Sequence, residues 1–155
     1  MDLKRRQVLT YAAGFASTVP FAAFAQDTPS IHVLKDPNCG CCQVWIDILR
    51  QEGFRVTEER SFGTQLVRHK LDNGIPEEMM SCHTGEIDGY MIEGHVPVAD
   101  IRRLLEEQPN AVGLAVPGMP YGSPGMGPED RREAYDVFLI LKDGSTEVFN
   151  SYEAA

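Results

Sequence analysis

Three thiols stand within four residues at Cys39-Gly40-Cys41-Cys42, and a fourth, Cys82, lies in Ser81-Cys82-His83-Thr84. Thiolate sulfur is a soft ligand that selects Cu(I), Zn(II) or iron–sulfur clusters, and the same group carries disulfide exchange. Cys39 and Cys42 are spaced for either chemistry. Cys41 separates the two, because an exchange enzyme needs two cysteines and a third beside them invites mispairing, whereas a metal site gains a ligand. Candidate additional donors are His83, His95, Met119 and Met126, and thioether sulfur narrows the choice toward copper or silver. Zinc is the chief competitor, since four thiolates are a normal structural zinc set. The usual zinc knuckle, however, splits its ligands into two pairs, and these divide three and one. Adjacent Cys41 and Cys42 do not easily close on one tetrahedral ion but can bridge two, which points to a multinuclear Cu(I) thiolate cluster.

These groups need elements to position them. Residues 31–34 form a compact apolar strand stopped by Asp36-Pro37-Asn38. From 41 to 52 the pattern is helical, with Val44, Trp45, Ile48 and Leu49 on one face and Gly53 at the stop. The thiols therefore occupy a loop and the first turn of a helix, where free N–H groups favour thiolate. Residues 54–59 read as a strand, and 64–73 as a helix with Leu66, Val67 and Leu71 on one side. A third strand over 79–84 carries Cys82, and a fourth follows at 89–93 after a turn at 85–88. Val98, Ile101, Leu104 and Leu105, set between Pro97 and Pro109, predict a third helix. Residues 111–130 read as a long Gly/Pro loop bearing Met119 and Met126. The chain closes with strands at 135–141 and 147–150 joined across Asp143-Gly144, a hairpin signal. Glu86, Asp88 and Glu93 read as solvated turn residues, and His95, before the third helix, suits capping or ligation equally.

The N-terminus runs Lys4-Arg5-Arg6 into a weakly apolar stretch and reaches Ala23-Phe24-Ala25, the small-x-small pattern of a signal peptidase site. Residues 1–25 are expected to be a signal peptide, of the twin-arginine type by Arg5-Arg6. Residues 26–155 then form one domain without stable membrane insertion after cleavage. Losing Lys4, Arg5, Arg6 and Asp2 takes the 14 basic and 23 acidic residues to 11 and 22, a net charge of −11. That balance argues against nucleic acid, which is bound by neutralising phosphates with Lys and Arg.

The order strand, helix, strand, helix, strand, strand, helix argues for an α/β sandwich. With Cys39 and Cys42 at the first strand-to-helix junction it resembles the thioredoxin-like fold, with an added C-terminal β-hairpin. That resemblance implies that the start of the third strand lies against the cysteine loop and brings Cys82 and His83 to Cys39, Cys41 and Cys42. The likeness is closer still. Cys39-Gly40-Cys41-Cys42 with Trp45, Ser81-Cys82-His83-Thr84, Glu93-Gly94-His95-Val96-Pro97, Pro117-Gly118-Met119-Pro120 and Gly122-Ser123-Pro124-Gly125-Met126 together resemble one bacterial family. It has long been described only as a domain of unknown function, and it includes the CopG-type periplasmic copper and silver resistance proteins. The resemblance spans residues 31–152. It implies a periplasmic protein that holds copper through Cys39, Cys41, Cys42 and Cys82 as a thiolate-bridged cluster, with a redox role in copper detoxification. Copper ions, with silver or zinc as substitutes, are the expected ligands, and another periplasmic copper carrier is a candidate partner. A metal-binding protein is expected ahead of an enzyme. The alternatives are a thiol–disulfide oxidoreductase using Cys39 and Cys42 with Cys82 resolving, and a structural zinc module.

Overall fold

The computed structural model describes residues 28–155, so the signal peptide expected at 1–25 lies outside the described residues. In chain order the elements are β1 (Ser30–Lys35), α1 (Gly40–Gln51), β2 (Arg55–Arg60), α2 (Gly63–Asp72), β3 (His83–Ile87), β4 (Tyr90–Glu93), α3 (Val98–Glu107), β5 (Ala111–Ala115), β6 (Tyr135–Leu141) and β7 (Thr146–Tyr152). The strands make one mixed sheet in the order β2-β1-β3-β4-β5-β6-β7. Pairs β1–β2 and β4–β5 are parallel and the rest antiparallel. The architecture is mixed α/β, with three α-helices among the described residues, and β6 and β7 form the expected C-terminal hairpin.

Strand side chains alternate between faces, and this alternation sorts the core. Ile31 and Val33 of β1, Ile87 of β3 and Ile92 of β4 face Trp45, Ile46 and Leu49 of α1 and Ile101 and Leu104 of α3. Met91 of β4 and Ile140 of β6 belong to a smaller cluster with Ile75, Val112 and Ala115, against which Met79 and Met80 pack. Burying the apolar surface of each large residue in the main cluster contributes about 1.5–3 kcal/mol.

Several expectations need correction. The third strand begins at His83, and Cys82 stands just before it, after a 3-10 turn at Glu77–Met79. Gly85 is in mid-strand, where a Cβ would lie 2.6 Å from Ile31 Cδ1, so this glycine answers to packing and not to a turn. The turn is Asp88-Gly89, both with positive φ, the dipeptide of a two-residue hairpin. Residues 111–115 are not loop but a wholly buried strand. On α1 the inward face is Cys42, Trp45, Ile46 and Leu49, with Val44 exposed. On α2 it is Leu66 and Lys70, leaving Val67 and Leu71 largely exposed. Glu93 is not a solvated turn residue: it is fully buried.

Candidate metal centre

The chain leaves β1 through a tight turn in which the Asn38 and Cys39 N–H groups donate to Asp36 Oδ1 and Asp36 O, at 2.8 and 3.1 Å. Cys39 is the N-cap of α1 and supplies no side-chain cap, so the thiols of Cys41 and Cys42 stand in a first turn whose N–H groups are free of capping side chains. Trp45 fixes the helix below them, its Nε1–H donating to Val96 O at 2.9 Å. Trp45 also stacks obliquely on His83, with ring centroids 4.4 Å apart, and His83 meets the edge of His95 at 5.0 Å.

The sulfur atoms of Cys39, Cys41, Cys42 and Cys82 all lie within 4.8 Å of one another. Cys39 and Cys42 are joined as a disulfide, and Cys41 and Cys82 are free thiols. Cys41 Sγ is 3.2 Å from Cys39 Sγ. Cys82 Sγ stands between two imidazoles, 3.3 Å from His83 Nδ1 and 3.2 Å from His95 Nε2. The Cys82 sulfur and one ring nitrogen from each of His83 and His95 also lie within 4.8 Å of one another, so Cys82 is common to an all-sulfur group and a sulfur–nitrogen group.

Burial, and then the nearby Cys41, push the Cys82 thiol up to about 12. Burial pulls the His83 imidazole well below its ordinary range, helped by His95 and Lys70, and burial lowers His95 as well. Both histidines are thus neutral, the form in which imidazole donates a lone pair to a metal. His83 Nε2 is buried without a hydrogen-bond partner. His95 does not cap α3. Its Nδ1–H donates to Pro124 O at 2.8 Å, which leaves Nε2 as the lone-pair nitrogen facing Cys82.

Besides the Pro124 bond to His95, the Gly/Pro loop closes over this group at two glycines. Ser81 Oγ donates to Gly118 O, and Gly125 lies so close that a Cβ there would be 3.0 Å from Trp45 N and 3.1 Å from Cys41 O. Met119 and Met126 are the chain neighbours of these two glycines. Met119 is exposed and Met126 half-buried, and the contacts to the cysteine-bearing segments run through Gly118 and Gly125. The structure therefore brings Cys39, Cys41, Cys42, Cys82, His83 and His95 together, and sets Met119 and Met126 on the loop above them.

A family model described as "Protein of unknown function, DUF411" matches residues 79–126, the stretch from before Cys82 to Met126. Two solved structures, titled "Copper resistance protein copG- Form 1" and "Copper resistance protein copG- Form 2", are each 46% identical to this chain with a TM-score of 0.76. They cover 81% of this chain and 98% and 99% of their own. The chain belongs to the CopG copper resistance family. No curated protein matches it. Lys70, which the sequence does not single out, and Glu93, expected as a solvated turn residue, also belong to the candidate metal centre. Lys70 donates to Glu93 and to Ser81 O beside Cys82. The one sequence signal for Lys70 is its spacing four residues after Leu66, on the inward stripe of α2.

Proposed function

We propose that the chain is an exported, periplasmic copper-binding protein of copper resistance that takes Cu(I) as its cargo. It would hold the ion in shared thiolates of Cys39, Cys41, Cys42 and Cys82, flanked by His83 and His95, with Met119 and Met126 as donors on the covering loop. The carrying observation is the convergence of four sulfur atoms within 4.8 Å, one of them wedged between two neutral imidazoles. Soft sulfur with neutral nitrogen suits Cu(I) better than a hard cation. Crowding of adjacent Cys41 and Cys42 favours bridging sulfurs and so more than one ion. The scaffold reading is thioredoxin-like, supported by the β2-β1-β3-β4 order with α1 and α3 packed on one face. The domain proposed is 26–155, preceded by the twin-arginine signal at 1–25.

The Cys39–Cys42 disulfide supports a redox element in this function. Two electrons from a dithiol reductant, with two protons, open it to two thiols, and only then are four cysteine sulfurs available to ligate as thiolates once their protons leave. Loading also displaces the proton that Cys82 keeps at neutral pH, so uptake releases protons. The same disulfide favours a second reading, thiol–disulfide exchange by Cys39 and Cys42.

Anaerobic Cu(I) titration of the reduced exported protein against a competing chelator, read by ultraviolet charge transfer, separates the two. Binding of more than one copper per chain is expected, reduced in Cys82→Ser and nearly absent while the disulfide is intact. Saturation below one copper per chain, alongside turnover of a disulfide substrate by the wild type that Cys82→Ser alters, selects exchange instead.

A further inference from the structure

The donors above leave Lys70 and Glu93 without a task, yet they form the most deeply buried ion pair among the described residues, with side chains 2% and 0% exposed. Taking two charges out of water costs several kcal/mol per ion, and apolar residues of similar volume often serve stability as well. Packing alone therefore does not explain the pair. Both partners reach the same residue. Ser81 sits just ahead of β3, where its backbone has no ladder to join. There Lys70 Nζ donates to Ser81 O at 3.0 Å, and Ser81 N–H donates to Glu93 Oε1 at 2.5 Å. The other carboxylate oxygen accepts from Thr84 Oγ1. Behind Ser81 lies Gly94, at φ +73, where a Cβ would come within 2.6 Å of Ser81 Cβ. Residues 81 and 84 bracket Cys82 and His83, and both brackets end on Glu93.

We propose that Lys70 and Glu93 are positioning residues of the metal centre, holding Ser81 and Thr84 so that Cys82 stands ready between His83 and His95 and opposite the other thiols. Its consequence for metal rests on the copper reading; its geometric half does not. A donor held in place gives up little conformational freedom on binding, and removing the groups that orient ligands typically weakens metal affinity.

The test compares two double variants. Lys70→Met/Glu93→Leu removes both charges together, so no lone charge is left buried, and strips both backbone bonds from Ser81. Lys70→Met/Glu93→Gln keeps an acceptor for Ser81 N–H and an amide N–H2 that can donate to Thr84 Oγ1, and removes only the lysine bond to Ser81 O and the charges. Two quantities are read on folded protein: Cu(I) affinity against a competing chelator, and the metal-free effective concentration of a Cys42–Cys82 disulfide in glutathione buffers, in a Cys39→Ser/Cys41→Ser background. The Met/Leu variant is expected to bind Cu(I) about 10- to 100-fold more weakly and to lower the effective concentration by a comparable factor, with Met/Gln between it and wild type. Wild-type values of both quantities in folded Met/Leu protein overturn the inference. Failure of both variants to fold at room temperature overturns it too, since the pair is then a requirement of the fold. If the wild type itself takes up no Cu(I), the copper reading fails, and the disulfide measurement still decides the positioning role.

Discussion

Gly125 has two reasons to be glycine, and each can be measured. Its φ is +89, and a Cβ would meet backbone atoms of Trp45 and Cys41 that cannot move without moving the start of α1. Gly118, at φ +68 on the same loop, has open space around its Cβ position. Both changes to Ala carry the backbone penalty of a positive φ, but only Gly125→Ala adds a clash beside the thiols. Gly125→Ala is expected to cost about 2–5 kcal/mol in urea unfolding and to weaken Cu(I) binding. Gly118→Ala should cost about 1–2 kcal/mol and leave the affinity near that of wild type. Equal Cu(I) affinities in the two variants would show that the loop does not press on the site. The thiols were legible in the sequence because their chemistry is carried by residue type and spacing. The glycine contact was not, because it depends on what lies opposite.

At the scale of elements, the edges were legible wherever a turn former stood at the turn. Asp36-Pro37-Asn38, Gly53 and Asp143-Gly144 all mark boundaries of observed elements. Gly85 misled because a glycine required by a close neighbour looks the same in sequence as one required by a turn, whereas Asp88-Gly89, the stronger hairpin signal, was adjacent. Strand β5 escaped because both its faces are buried, so Ala111 to Ala115 show no alternation of apolar and polar residues.

The C-terminal hairpin is held to α3 by Asp100, whose carboxylate accepts from Asn150 Nδ2 at 2.9 Å and from Tyr152 O–H at 2.8 Å. Burial, and then the bond to Asp100, raise the Tyr152 phenol above its ordinary range, and burial raises its stacked neighbour Tyr135 to about 12. A phenol whose folded value is raised keeps its full contribution below the unfolded value of about pH 10 and loses it as pH climbs through the folded value. Stability should therefore fall above about pH 10. Tyr152→Phe is expected to be less stable by about 1 kcal/mol at neutral pH, for the lost hydrogen bond, yet to decline less steeply in alkali. Urea midpoints collected from neutral to strongly alkaline pH check this, and parallel curves for the two proteins would contradict it.

Across the described residues, the sheet divides the labour: α1, the segment before β3 and the Gly/Pro loop build the candidate metal centre, while β6 and β7 extend the sheet away from β4. Asp100 is nearly fully buried and joins the hairpin to the helical layer. Asp100→Ala leaves two donors without their carboxylate and should cost about 2–4 kcal/mol. Amide exchange should quicken in β7 first, with Cu(I) affinity little changed. Equal loss of affinity and stability would show instead that hairpin and site are one unit.

By itself the sequence determined which residues can do chemistry here and most of the elements that carry them, because thiol softness, turn residues and helical periodicity are local properties. It also carried the family, through motifs in a fixed order. Tertiary structure alone decided that Cys82 lies between His83 and His95, that a disulfide ties Cys39 to Cys42, and that Lys70 and Glu93 are buried behind Ser81. These facts turn on pairs of residues 1 to 23 positions apart, and a burial or a distance belongs to the folded pair and to neither residue alone.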